Sequence, residues 1–199
     1  VKRPNSIVIA SQNAHKIIEF EDAFKQTGIT IKSLKHFENV PTIAETGTTF
    51  EENATLKATG IMNFTHQAVI ADDSGLVVKP LNGQPGVHSA RYAGDHDDDA
   101  NNDKLLKEMQ NKRDRTAYFE SVLVYLTPEG DRVVANGRIN GEILRERQGD
   151  NDFGYDPLFY VPSQQRTLAE MTPHDKNLIS HRGNAIRNLL SQLLELWDS

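Results

Sequence analysis

The chain has 199 residues, which the rough ~150-residue domain prior reads as one domain. Its 37% hydrophobic and 25% charged residues suit a globular core, no apolar run approaches the ~18 residues of a membrane span, and a formal charge of -6 argues against stable binding to a nucleic-acid backbone. A small polyphosphate stays open to it, and the absence of cysteine confines any metal to oxygen or imidazole ligands and removes disulfides and thiolate nucleophiles.

Val1-Lys2-Arg3-Pro4-Asn5 leads directly into a short apolar run rather than a long one, so no secretory signal is expected and a cytoplasmic location is the default. Ile7 to Ala10 reads as a buried strand, and from Asn13 the positions Ile17, Phe20 and Phe24 recur at helical spacing. The junction between them, Ser11-Gln12-Asn13-Ala14-His15-Lys16, is a tight loop running into a helix N-terminus, where backbone N–H groups can hold an anion. Ser11 and Asn13 can cap the helix or bond a phosphate. Lys16 in the first turn opposes the helix dipole unless an anion lies nearby.

A second strand is expected near Thr30 to Leu34, then a loop ending in Glu45-Thr46-Gly47 and a helix from about Thr48 to Thr65. Thr48 with Glu51, or Thr49 with Glu52, supplies a capping box, and Phe50, Ala54, Ala58 and Ile61 form the buried stripe. Asn53, Lys57 and Gly60 share the adjoining face. The apolar run Ala68 to Ala71 then ends in two carboxylates, Asp72 and Asp73, before a Ser74-Gly75 turn and a further run from Leu76 to Val78. Adjacent acids at the end of a buried strand resist desolvation unless a cation compensates, and a divalent metal fits as well as an Asx turn does. Paired carboxylates favour Mg²⁺ or Mn²⁺ over zinc.

Leu81 to Tyr92 is turn-rich, and the acidic Asp95 to Asp99 segment precedes a helix carrying Leu105, Leu106 and Met109. Thr116 to Leu126 and Arg132 to Ile143 read as two strands forming an antiparallel ribbon around Thr127-Pro128-Glu129-Gly130. Phe153-Gly154-Tyr155-Asp156 can pack as an aromatic turn or make a slot for a flat base, with Asp156 accepting a ring N–H; a strand, Leu158 to Val161, follows. Ser180-His181-Arg182-Gly183 opens the last helix, preceded by Lys176, with the stripe Ala185, Ile186, Leu189, Leu190, Leu193 and Trp197. The pattern as a whole is α/β.

The blocks SxNxxK at Ser11 to Lys16, ETGxTFxENAxxKA at Glu45 to Ala58, ADDSGL at Ala71 to Leu76, PGVxSARYAG at Pro85 to Gly94, FGYDPLF at Phe153 to Phe159 and SHRGNA at Ser180 to Ala185 together resemble the inosine triphosphate pyrophosphatase family. The resemblance implies an elongated mixed-sheet fold with two lobes flanking a nucleotide cleft, built from the whole chain and assembled as a homodimer. It implies Mg²⁺-dependent hydrolysis of the purine nucleoside triphosphates ITP, dITP and XTP to monophosphate and pyrophosphate, with Mn²⁺ as a possible substitute. By position, Ser11, Gln12, Asn13, Ala14, His15 and Lys16 belong to the triphosphate loop. Lys57 lies on the phosphate side, and Glu45, Asp72 and Asp73 lie in the metal neighbourhood. Asp73 is the proton acceptor. Ser74, Phe153, Gly154, Tyr155, Asp156, Lys176, His181 and Arg182 belong to substrate binding.

The chain departs from the family pattern at Gln12, at His15 where glycine is expected, and at His88 where tyrosine is expected. The implied step is attack of water at the α-phosphorus. The rival expectations are a Maf-like pyrophosphatase for pyrimidine or modified nucleotides, and a nucleotide sensor without turnover.

Overall fold

A computed structural model describes residues 1–199. The strands are β1 (Ser6–Ile9), β2 (Thr30–Lys32), β3 (Val69–Val78), β4 (Thr116–Leu126), β5 (Arg132–Ile143), β6 (Phe159–Val161) and β7 (Arg166–Thr167). They form a seven-stranded sheet in the order β2-β1-β3-β4-β5-β6-β7. β1 pairs in parallel with β2 and β3, whereas β6 pairs antiparallel with β5 and β7, so the sheet is mixed and the α/β class holds. The helices are α1 (Ala14–Phe24), α2 (Phe50–Thr65), α3 (Asp98–Glu108), α4 (Pro173–Ile179) and α5 (His181–Asp198). None is long and apolar enough to cross a membrane.

The chain divides into two compact units: Val1–Asp73 with Ser121–Gly137 and Arg182–Ser199, and Ser74–Glu120 with Arg138–His181. In the first unit the period of two along a strand sorts the core. Ile7, Ile9 and Ile70 face one way and pack with Phe20 and Phe24 of α1 and Ile186, Leu189 and Leu193 of α5. Val8, Ala10, Val69 and Ala71 face the other way and pack with Ala54, Ala58 and Ile61 of α2. Each face is thus closed by the apolar stripe of a helix. In the second unit, Leu76, Val78, Leu105, Met109, Phe119, Tyr155, Leu158 and Phe159 share one core.

Several local expectations change. The Ser74-Gly75 turn does not form, because β3 runs unbroken from Val69 to Val78. The two acids need no turn to part them, since successive strand side chains already leave on opposite faces. The second strand stops at Lys32, and Leu34 opens a short 3-10 segment capped by Ser33. Leu158 also ends a 3-10 segment, Asp156–Leu158, before β6 begins. The helix expected from Thr48 starts at Phe50, with Thr49 as its cap. The short α4, absent from the sequence-based expectations, carries Lys176.

Candidate active site

In the first unit the strand period continues past the core into the polar residues. Asp72, in phase with Ile70, points toward α1 and α5, and its Oδ2 lies 3.0 Å from Lys16 Nζ. Asp73, in phase with Val69 and Ala71, points toward α2, where Asn53 bonds it and Lys57 and Glu45 act on its charge. Lys57 Nζ reaches Glu45 Oε1 at 2.7 Å and the Asp72 main-chain carbonyl, also at 2.7 Å. A single lysine therefore ties the Glu45 loop to the strand.

The loop before α1 is shaped by its own side chains. Asn13 caps the helix, its Oδ1 accepting from the N–H of His15 at 2.9 Å and of Lys16 at 3.2 Å, while the Asn13 N–H donates to Ser11 Oγ at 3.0 Å. No acidic residue occupies the first turn of α1. The positive helix end and Lys16 are thus left to an anion from outside the helix. Gln12, Ala14 and His15 are exposed around it.

The start of α2 is equally determined. The Thr49 side chain accepts from the Glu52 N–H at 3.1 Å, and Glu52 reaches back to the Thr48 N–H at 2.7 Å, so the second of the two candidate boxes caps the helix, with its return arm one residue early. Gly47 donates to Asn53 Oδ1 at 2.7 Å, and a Cβ there would lie 2.6 Å from Glu52 Cβ. Only glycine allows this loop to close so tightly on the helix that carries Asn53 and Lys57.

The adjacent acids titrate in opposite directions. Burial pushes Asp72 up, but Lys16, Lys57 and Arg182 outweigh it and hold its carboxyl at about 2. Burial pushes Asp73 up to about 6; the charges of Glu45 and Asp72 add to the rise, and Lys57 and Asn53 oppose it. Lys57 and Arg182 are lowered by burial but raised more by the carboxylates around them. Asp73 Oδ2 is buried and has no hydrogen-bond partner. No three His, Asp or Glu side chains gather as a ready-made metal cage. The pair Glu45 and Asp73 nevertheless fits a hard cation of the magnesium type, which takes one or two carboxylates and completes its shell with phosphate oxygens and water. Asp72, whose carboxylate is turned to the opposite face, serves Lys16.

The second unit holds the other group. Asp156 is 4% exposed and forms an ion pair with Lys176. Burial pushes Asp156 up, against the pull of Lys176. The Lys176 ammonium lies 5.1 Å from the centre of the Phe153 ring, which is 67% exposed. Tyr155 offers no open face: it is buried in the core, and its hydroxyl donates to the Ser89 carbonyl at 2.6 Å. Helix α3 grips the intervening glycine on both sides, the Gly154 N–H donating to Asp98 Oδ2 at 3.0 Å and Asn102 Nδ2 donating to the Gly154 carbonyl at 2.9 Å. The His181 ring stacks on Phe119 with centroids 5.1 Å apart and planes 17° from parallel. Ser74 stands half-buried on β3.

The sequence-derived candidates therefore gather as Lys16, Asp72 and Arg182; as Glu45, Lys57 and Asp73; and as Phe153, Asp156 and Lys176. Asn53, Asp98, Asn102 and Phe119 support the site residues and lie outside the candidates that the sequence singles out. Asn53 stood one turn before Lys57 on the same helical face, a signal that could have found it. Asp98 lies in an acidic segment that, in sequence, reads as favourable charge at a helix start, and it also holds the Gly154 N–H.

Comparison with known proteins places this geometry in a family context. The Ham1 family model matches residues 7–192. A dITP/XTP pyrophosphatase of Lactiplantibacillus plantarum is 52% identical over 197 residues, 98% of each chain. The Ham1 protein of Staphylococcus aureus superposes with a TM-score of 0.89 at 44% identity, over 96% of this chain and 98% of its own. A HAM1 protein from Coxiella burnetii gives a TM-score of 0.90 at 42% identity over the same shares of the two chains.

Proposed function

The chain belongs to the Ham1 family, and from that premise we propose that it is a nucleotide pyrophosphatase hydrolysing ITP, dITP and XTP to the monophosphate and pyrophosphate, keeping nonstandard purines out of DNA and RNA. The observation that carries this reading is Asp73 Oδ2, buried without a hydrogen-bond partner beside Glu45 and Lys57. A buried polar atom left unbonded costs folding free energy, so it is expected where a cation or a reacting water is to be met.

The residues divide the work. Lys16, at the positive end of α1, binds phosphate oxygens, and Asp72 holds the Lys16 ammonium in place. Lys57 adds a second ammonium, fixed between Glu45 and the Asp72 carbonyl. Glu45 and Asp73 would hold Mg²⁺, with Mn²⁺ as the substitute, which when bound neutralises the triphosphate and the departing pyrophosphate. Asp73 orients the attacking water and takes its proton as the new bond to the α-phosphorus forms; the bond from that phosphorus to the bridging oxygen breaks, and pyrophosphate leaves. Asp156 and His181 suit the base. Hypoxanthine and xanthine carry an N1–H donor and a 6-keto acceptor, which an Asp156 carboxylate and a His181 N–H complement, whereas adenine reverses both.

Pyrophosphate release from ITP, XTP, GTP, ATP and dTTP, with Mg²⁺ and with EDTA, tests the reading. Metal-dependent release favouring ITP and XTP, reduced about 10² to 10⁴-fold in Asp73→Asn, is expected. A preference for dTTP would move the chain to the Maf-like group, and binding without release would make it a sensor. A homodimer and a cytoplasmic location complete the proposal; the dimer rests on the family resemblance and is checked by light scattering.

A further inference from the structure

Glu19, on α1, belongs to none of the motifs, yet it meets Arg182 as a fork: Arg182 Nε to Glu19 Oε2 at 2.6 Å and Arg182 Nη2 to Glu19 Oε1 at 2.8 Å. Both side chains are largely withdrawn from solvent, 13% exposed for Glu19 and 20% for Arg182. Two parallel charge-assisted bonds fix the plane of a guanidinium as well as its position. Asp72 also attracts Arg182. The fork with Glu19 competes with that attraction for the guanidinium. His15 adds a tether, its Nε2 lying 3.3 Å from Glu19 Oε1, the oxygen that accepts Arg182 Nη2.

We propose that Glu19 is a positioning residue for substrate binding, clasping the Nε and Nη2 edge of Arg182 so that the Nη1 edge is presented to a nucleotide oxygen and Arg182 stays off Asp72. The proposal rests on the pyrophosphatase reading for the nature of the ligand. It concerns binding, so its effect falls on KM and not on kcat.

The test is calorimetric binding of ITP in EDTA, where turnover is stopped, to the wild type, Glu19→Gln, Arg182→Gln, Arg182→Lys and the double Gln variant, each Kd referred to the folded fraction read from thermal melting. Glu19→Gln preserves the side-chain volume and should weaken binding about tenfold, and the double variant should bind within about twofold of Arg182→Gln, because neighbours acting through one another do not add. Arg182→Lys keeps the charge but not the fork, and should bind as weakly as Arg182→Gln while melting near the wild type. With Mg²⁺, KM for ITP should rise in Glu19→Gln and kcat should hold. Unchanged binding by Glu19→Gln, multiplying losses in the double variant, rescue by Arg182→Lys, or a fall in kcat at constant KM would overturn the proposal. A wild type that binds ITP without releasing pyrophosphate would refute the functional reading alone, and the binding cycle would still judge Glu19.

Discussion

Asp72 and Asp73 are neighbours in sequence and opposites in environment, and the difference is measurable. Asp72 has a folded-state pKa of about 2, below its value of about 4 in an unfolded chain. Its contribution, about 2 kcal/mol, is therefore complete above pH 4 and is lost as the pH falls toward 2. Urea unfolding of the EDTA-treated protein at pH 7, 4 and 2.5 should show this loss in the wild type, and a shallower one in Asp72→Asn. Asp156 makes a second prediction at this scale. Asp156→Ala should lower the ratio of ITP to ATP turnover, because the acceptor for N1–H is removed; an unchanged ratio would exclude that role. The motif around these acids was legible in the sequence. The strand period that sends them to opposite faces was legible too, once the strand was known to continue through Ser74 and Gly75. Glu19 was not, since nothing in the local pattern of α1 points to a residue at the start of α5.

Helix α2 shows how an element carries a site. Its first turn is fixed by Thr49, Glu52 and the close approach of Gly47, and one and two turns later it delivers Asn53 and Lys57. Thr49→Ala removes an N-cap and should cost about 1 kcal/mol. Gly47→Ala forces a Cβ against Glu52 and Asn53 and should cost about 1–3 kcal/mol, with the larger loss of ITP turnover, because the displaced loop carries Glu45. Urea midpoints and pyrophosphate release on the two variants check both. Long elements were readable from period and capping alone: α2, α5 and the strands β4 and β5 lie where the pattern put them. The short α4 was not, because it buries no residue and so has no apolar stripe to betray it. Its Thr172 cap, Pro173 at the first helical position and Asp175 in the first turn were the available signals.

At the scale of the whole molecule, metal binding and stability are linked. A ligand that binds only the native state stabilises it by about 2.7 kcal/mol at a hundred times its Kd. Mg²⁺ should therefore raise the melting temperature of the wild type and leave that of Asp73→Asn nearly unmoved. In EDTA the variant should melt no lower than the wild type, since Asp73 is half-buried with one buried, unbonded oxygen and has its carboxyl pushed up to about 6, so ionising it opposes folding at neutral pH. A variant that melts much earlier in EDTA would instead make Asp73 a structural residue. The sequence by itself determined the α/β class, the main helices and strands, and the identities of the charged residues at the ends of those elements, because period, capping and charge are local properties. Only the tertiary structure decided which charges meet. Lys16 with Asp72, Lys57 with Glu45, Arg182 with Glu19 and Lys176 with Asp156 are pairings between separate elements, set by which face of each strand and helix the core leaves to its polar residues.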